Sequence, residues 1–161
     1  GHDTGILSDA GCPGIADPGA HVVAAAHRSG ITVVPLVGPS SLLLALMASG
    51  MNGQRFSFHG YLPVPAPARS DALRRLEAAS ARHGEAQLFI ETPYRNQAML
   101  AAVVEHCRAD TRLCVAADLT TATESIETAT VAAWKRRDFA RYAKRPAIFI
   151  LQAPPTGKAI G

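Results

Sequence analysis

The chain has 161 residues, 48% of them hydrophobic, a net charge of +3 and a pI near 9.0. That apolar fraction supports a packed core and excludes a disordered chain, while the mild basicity allows an RNA partner without indicating one. Cys12, Cys107 and Cys114 show no metal-ligand spacing, the six histidines form no H-E-x-x-H, and no apolar run approaches the ~18 residues of a membrane span. The composition therefore points to a globular chain with reduced thiols, no metal and no membrane segment, expected in the cytoplasm.

Gly5-Ile6-Leu7 reads as the end of a buried strand, followed by the glycine- and proline-rich turn Ser8 to Gly19. Ala20 to Ser29 reads as a helix, with Asp17 as N-cap, Pro18 in its first position and Gly30 just past its end. A strand that enters a glycine-rich turn and then a helix is where α/β proteins bind ligands, at the carboxyl end of the strand. The same residues also describe a tight connection with no ligand. Ile31 to Leu36 reads as a second strand, buried on both faces of a parallel sheet. Ser40 suits the N-cap of an all-apolar, buried helix from Leu42 to Ser49, closed by Gly50 and Gly53. These elements form a first domain, residues 1–54, with a partial parallel sheet.

Phe56, Phe58 and Tyr61 alternate with polar residues as in a strand, and Pro63, Pro65 and Pro67 break regular structure after it. Residues 55–68 read as a hinge and loop. A second domain, 69–153, opens with a helix capped by Ser70 and ended by Gly84. Gln87 to Glu91 is a strand, and Thr92-Pro93 starts a helix with Leu100, Val103, Val104 and Cys107 on one face. Leu113 to Ala117 is a buried strand, Glu124 to Thr130 a half-exposed one, and Ala147 to Leu151 closes the sheet. The short 113–124 connection makes this sheet mixed, with flanking helices. The tail 154–161 is expected to fray. From Trp134 to Arg145, six basic residues interleave with three aromatics. They describe either a nucleic-acid surface or a solvated helix and loop around one tucked Trp.

The full string Ser8-Asp9-Ala10-Gly11-x-Pro13-x-x-x-Asp17-Pro18-Gly19 resembles a signature of the tetrapyrrole methylase superfamily, in its ribosomal small-subunit RNA 2′-O-methyltransferase branch. Four further segments resemble that family in the same order: Val34 to Ser41, Phe58 to Pro63, Phe89 to Arg95, and Ala117 to Thr120 with Glu124. The resemblance implies S-adenosylmethionine as cofactor, a cleft between two domains, ribosomal RNA as substrate and a homodimer. It also implies a further segment ahead of Gly5, so the chain is expected to lack part of its first domain.

On that resemblance, Asp9, Ala10, Gly11 and Cys12 meet the cofactor with Ile15 packed on it, and Ser40 and Ser41 touch its methionine or ribose end. Glu91 and Thr92 face it, Leu119 and Thr120 lie beside the adenine, and Pro146 and Ala147 meet it through backbone. Glu91 is a candidate for a catalytic base, Asp9 and Asp17 are two carboxylates that could also serve as an acid–base pair, and Arg95 and Tyr94 are candidates to meet the substrate. Each has a plainer reading: Asp17 and Ser40 as caps, and Glu91 with Arg95 as an ion pair bracing the junction. Thr92-Pro93-Tyr94-Arg95 departs from the family's more usual Ser-Thr-His-Arg, which bears on the substrate more than on the cofactor. Two alternatives stay open: a methylase of a tetrapyrrole or other small molecule, and a non-catalytic dimerisation module.

Overall fold

The computed structural model describes residues 2–156 and separates into two units whose boundary falls between Leu43 and Leu44. The first unit carries the turn and the helix α1, Ala20–Arg28. Asp17 does not cap it. The Gly14 N–H donates to the Pro18 carbonyl at 3.2 Å, closing the turn, so the helix takes its first bonds from Gly19, whose carbonyl accepts from Val22 and Val23. Gly19 holds φ 139°, and a Cβ there would stand 3.3 Å from the Gly14 nitrogen. Only glycine suits that position. At the other end, the Ile31 N–H reaches back to Ala26 and Gly30 adopts a left-handed φ of 66°, so the helix stops where its glycine predicts.

The two strands expected in this unit are not formed: neither Gly5–Leu7 nor Ile31–Leu36 belongs to a ladder among the described residues. Nor is either run buried, with Leu7 93% and Leu36 89% exposed. A β-branched apolar run states a preference for burial, but a strand also needs a neighbour for its N–H and C=O groups, and the described residues supply none. The expected partial parallel sheet is thus replaced by irregular chain around α1. The helix α2, Ser41–Ser49, begins one residue before its expected start and buries Ala45, Leu46 and Ser49, while Leu43 and Met47 are exposed. Being apolar all round did not bury it all round.

The second unit is built on a five-stranded mixed sheet in the order β1-β2-β5-β3-β4. The strands are β1, Phe56–Tyr61; β2, Ala86–Glu91; β3, Arg112–Ala117; β4, Ser125–Thr130; and β5, Ala147–Gln152. β1 and β2 are parallel, joined through the 18-residue helix α3, Ala66–His83, and the other pairs are antiparallel. β1 is therefore an edge strand of this sheet rather than a hinge. β5 does not close the sheet but runs through its middle between β2 and β3, as its unbroken apolar run Ala147 to Leu151 suits. The helix α3 starts four residues before Ser70, because Pro67 in a first turn needs no N–H partner. Ser70 instead returns its hydroxyl to the Ala66 and Pro67 carbonyls.

One face of the sheet presents Phe89, Phe149, Val115, Leu113 and Leu151 to α3 and to α4, Asn96–His106. The Phe89 and Phe149 rings, opposite one another in the register, stack at 5.4 Å. α4 follows a single 3-10 turn, Pro93–Arg95, and buries Met99, Leu100 and Val103 completely. The short helix α5, Val131–Trp134, seals this core with Trp134, whose indole N–H donates to the Leu113 carbonyl at 2.9 Å. The other face carries Leu88, Ile150 and Cys114, also fully buried. There the segment after α2 is bonded to the sheet: Thr128 donates to the Ser49 carbonyl and the Asn52 N–H to Gln152. These bonds draw residues from 44 onward into the second unit, ahead of the expected boundary near 54. Of the tail, the Thr156 N–H donates to Ala81, and residues 157–161 lie outside the described residues.

Candidate functional site

In the first unit the turn brings the predicted loop residues to its own second junction. The Cys12 thiol donates to the Pro39 carbonyl at 3.5 Å, so Asp9 to Cys12 lie beside the turn that carries Ser40 and Ser41. The Ser8 hydroxyl and the Ile15 N–H fold the loop on itself, donating to Ala10 and Cys12. Among the described residues the amides of Asp9, Ala10, Gly11 and Cys12 meet no acceptor. Gly11 holds a left-handed φ of 75° in the middle of this run, and a Cβ there would meet nothing within 4 Å. Ile15 is exposed.

In the second unit the register does the assembling. β2 ends at Glu91, β5 begins at Ala147 and β3 ends at Ala117, and the three pair across the sheet as Glu91–Ala147–Ala117. Glu91-Thr92, Pro146-Ala147 and Leu119-Thr120 are far apart in sequence yet emerge at one end of one sheet. The Asp118 N–H donates to the Pro146 carbonyl at 3.0 Å, tying two of these segments directly. Beside Leu119 and Thr120 lies a hollow of about 350 Å³, lined also by Leu44, Met47, Glu124 and Ile126. Its size falls in the lower part of the range of small-molecule sites, and its walls are mainly apolar, as a flat heterocycle requires. The Thr120 N–H is already engaged by Glu124 at 2.7 Å.

Glu91 is buried, and its side chain is out of solvent. Its Oε1 accepts from the Thr92 N–H at 2.6 Å and from the Arg95 guanidinium at 2.9 and 2.7 Å, while Oε2 is buried without a partner. The same bonds hold the Arg95 pKa above its already high ordinary value. Tyr94, next in the turn, is 79% exposed.

Two interactions at this sheet end, made by three residues, could not be read as pairings from the sequence. Asp118 and Arg145 form an ion pair at 2.7 Å across 27 residues, and that bond holds the Asp118 carboxyl below the usual carboxylate range. Asn96, fully buried, donates to the Tyr142 and Arg145 carbonyls at 3.0 and 2.7 Å. Only pairing across the sheet could have found them. The basic run proves mostly self-bracing: Arg137 and Arg141 both clamp Glu127, and Arg137 lies over the Trp134 ring at 4.4 Å. Among the described residues no cluster of His, Cys, Asp and Glu could hold a metal ion, and no helix is long and apolar enough to cross a membrane.

A sequence profile described as Tetrapyrrole (Corrin/Porphyrin) Methylases matches residues 1–134. The chain belongs to this tetrapyrrole methylase family. Within the family it is 35% identical over 159 residues to a "Ribosomal RNA small subunit methyltransferase I" of Mesorhizobium japonicum, covering 99% of this chain and 53% of that protein. It is 36% identical to the protein of the same name from Escherichia coli O157:H7, covering 86% and 48%. Among solved structures, a conserved hypothetical protein from Aeropyrum pernix K1 superposes with a TM-score of 0.61 at 17% identity, over 92% of this chain and 57% of that one. The methyltransferase CobJ superposes at 0.56 and 18% identity, over 89% and 67%. At such identities the likeness is one of fold. This tetrapyrrole methylase chain spans about half the length of the curated relatives it matches.

Proposed function

We propose that this chain is the greater part of the cofactor-binding apparatus of an S-adenosylmethionine-dependent methyltransferase acting on a ribose 2′-hydroxyl of ribosomal RNA. The observation that carries the reading is the convergence of Glu91-Thr92, Leu119-Thr120 and Pro146-Ala147 at one sheet end, beside an apolar hollow. Family membership and the names of its relatives support the substrate class.

The residues present fit such a cofactor. Within the first unit, the open amides of Asp9 to Cys12 suit its polar groups, beside the turn that carries Ser40 and Ser41, and Ile15 is exposed to pack on it. Leu119 and Thr120 line a mainly apolar hollow that suits the adenine, and Pro146 and Ala147 stand at the same sheet end with their backbone. When bound, the sulfonium supplies an electrophilic methyl group. The protein's task is then to align the hydroxyl with it, an effect that can lower a barrier by several kcal/mol. Arg95 and Tyr94 are proposed to meet the RNA. The guanidinium keeps donors beyond those spent on Glu91, and the exposed ring can stack on a base.

Glu91, a candidate base, suits a bracing role better. A carboxylate out of solvent that already balances a guanidinium has no open path to an RNA hydroxyl. Glu91→Gln is expected to lower turnover by less than about tenfold and to leave its pH profile unchanged. A loss of 10²–10⁴ in turnover together with the acidic limb of the profile would make Glu91 the base after all.

Calorimetric titration of S-adenosylhomocysteine into the chain tests the cofactor, and transfer of labelled methyl to unmethylated small ribosomal subunits tests the substrate. Transfer to a tetrapyrrole instead of RNA would overturn the substrate. Self-association is part of the proposal: Leu36 and Val37, in the first unit, are exposed apolar surface that a second copy could cover. Sedimentation as a monomer throughout the micromolar range would remove that part.

A further inference from the structure

Arg145 sits in the basic run, but its geometry sets it apart from its neighbours. Its guanidinium donates to two places on the β3–β4 connection, Asp118 Oδ2 at 2.7 Å and the Thr123 carbonyl, and to Ser125 Oγ at the first residue of β4 at 3.0 Å. It thus grips that connection at both ends and spans the segment that carries Leu119 and Thr120. The grip is anchored from behind. Asn96, at the start of α4, bonds the Tyr142 and Arg145 carbonyls, and the Lys144 N–H donates to the Pro93 carbonyl at 3.0 Å.

The loop needs holding. Asp118 and Thr120 stand at φ 52° and 69°, and Lys144 at 60°, a conformation rare outside glycine and a genuine outlier for a β-branched residue such as Thr. Strained backbone of this kind persists only where surrounding bonds over-determine it. Inside the loop, Thr121 donates to the Asp118 carbonyl, Thr123 to Asp118 Oδ2 and the Thr120 N–H to Glu124, but among the described residues only Arg145 ties the loop to the rest of the sheet end through charge. A guanidinium can satisfy a carboxylate, a carbonyl and a hydroxyl at once, which an ammonium cannot.

We propose that Arg145 is a positioning residue that holds Asp118 and Thr120 in their strained conformation, and with them Leu119, so that the loop is cofactor-receptive. It acts through Asp118, Thr123 and Ser125 without itself touching the cofactor. The inference rests on the proposed cofactor site and adds the device that shapes it. Without the grip the loop samples open conformations, and the apparent dissociation constant rises by the inverse of the receptive fraction.

The experiment combines amide hydrogen exchange with calorimetric titration of S-adenosylhomocysteine, on the unchanged chain and on Arg145→Met, Arg145→Lys and Asp118→Asn. Arg145→Met is expected to speed exchange at Thr120, Thr121, Thr123 and Glu124 at least tenfold, leave β3 and β5 amides unchanged, and weaken binding about tenfold. Arg145→Lys, which keeps the charge but not the fork, and Asp118→Asn are expected to fall between, and they carry the test should Arg145→Met fail to fold. Unchanged loop exchange in these variants overturns the proposal. So does faster loop exchange with undiminished affinity, since the loop would then be held but not coupled to the ligand. If the unchanged chain binds no S-adenosylhomocysteine, the cofactor reading itself is overturned, and this inference with it. Full affinity in both parent and variants overturns the inference alone.

Discussion

A buried carboxylate with one occupied and one unpartnered oxygen, as at Glu91, is held in place chiefly by the guanidinium beside it. Removing Arg95 leaves that charge buried and unbalanced. Arg95→Met is expected to lower the Tm measurably, because the Glu91 carboxylate, the buried half of the pair, loses its counter-charge. The double variant Glu91→Gln/Arg95→Met should recover at least half of the loss, because it removes the orphaned charge. If the double variant is no more stable than Arg95→Met, the two residues are not energetically coupled. The pair itself was legible in the sequence as Glu-x-x-x-Arg across a strand-to-helix junction. Which of its two readings holds was not, because the plain reading depends on burial, and burial is a property of the packed sheet end.

At the scale of elements, α4 shows how a helix start organises what lies in front of it. Asn96 opens the helix and spends both amide protons on the carbonyls of Tyr142 and Arg145, 46 and 49 residues away. Asn96→Ala strands these two carbonyls in a largely water-free place. The expected cost is about 2 kcal/mol in a denaturant melt, with α4 itself intact. A loss below about 0.5 kcal/mol would mean that water reaches the turn and that Asn96 does not anchor it. Helix and strand positions in the second unit were readable from period and punctuation: Gly84 ends α3 at a left-handed φ of 65°, as its position predicts. The start of α3 was misread because Pro67 is a break within a helix but an acceptable residue in its first turn. The strands expected at Ile31–Leu36 and Gly5–Leu7 were misread for a different reason, since apolar character alone cannot reveal whether a partner strand is present.

For the whole molecule, burial sets the alkaline limit of stability. Burial, aided by nearby Glu77, pushes the Cys107 thiol from 9.0 up to about 12, and burial, aided by nearby Glu127, pushes the Tyr142 phenol from 10.0 up to about 12. Both values are raised on folding, so the folded chain keeps protons that the unfolded chain releases. The stability they contribute is fully present below about pH 9 and is lost as the pH rises from there toward 12. Thermal melts across that range should be level up to about pH 9 and fall beyond it, and Cys107→Ala should soften the fall. A decline that begins near neutrality would assign the loss to other groups.

What the sequence determined by itself is the local grammar and the family. Period, caps and glycines placed β2, β3, β4, β5 and most of α3 and α4, and the five motif segments named the family whose profile matches the chain. These are decided by residues within a few positions of one another, so they are visible in a line of letters. Tertiary structure alone decided that β5 lies in the middle of the sheet, that Glu91, Ala147 and Ala117 stand side by side, and that Arg145 closes on Asp118. Those facts depend on strand order and register. Many orders satisfy the same local preferences, and the choice among them is made by how the two faces of the sheet bury Phe89, Phe149, Leu88 and Ile150 together.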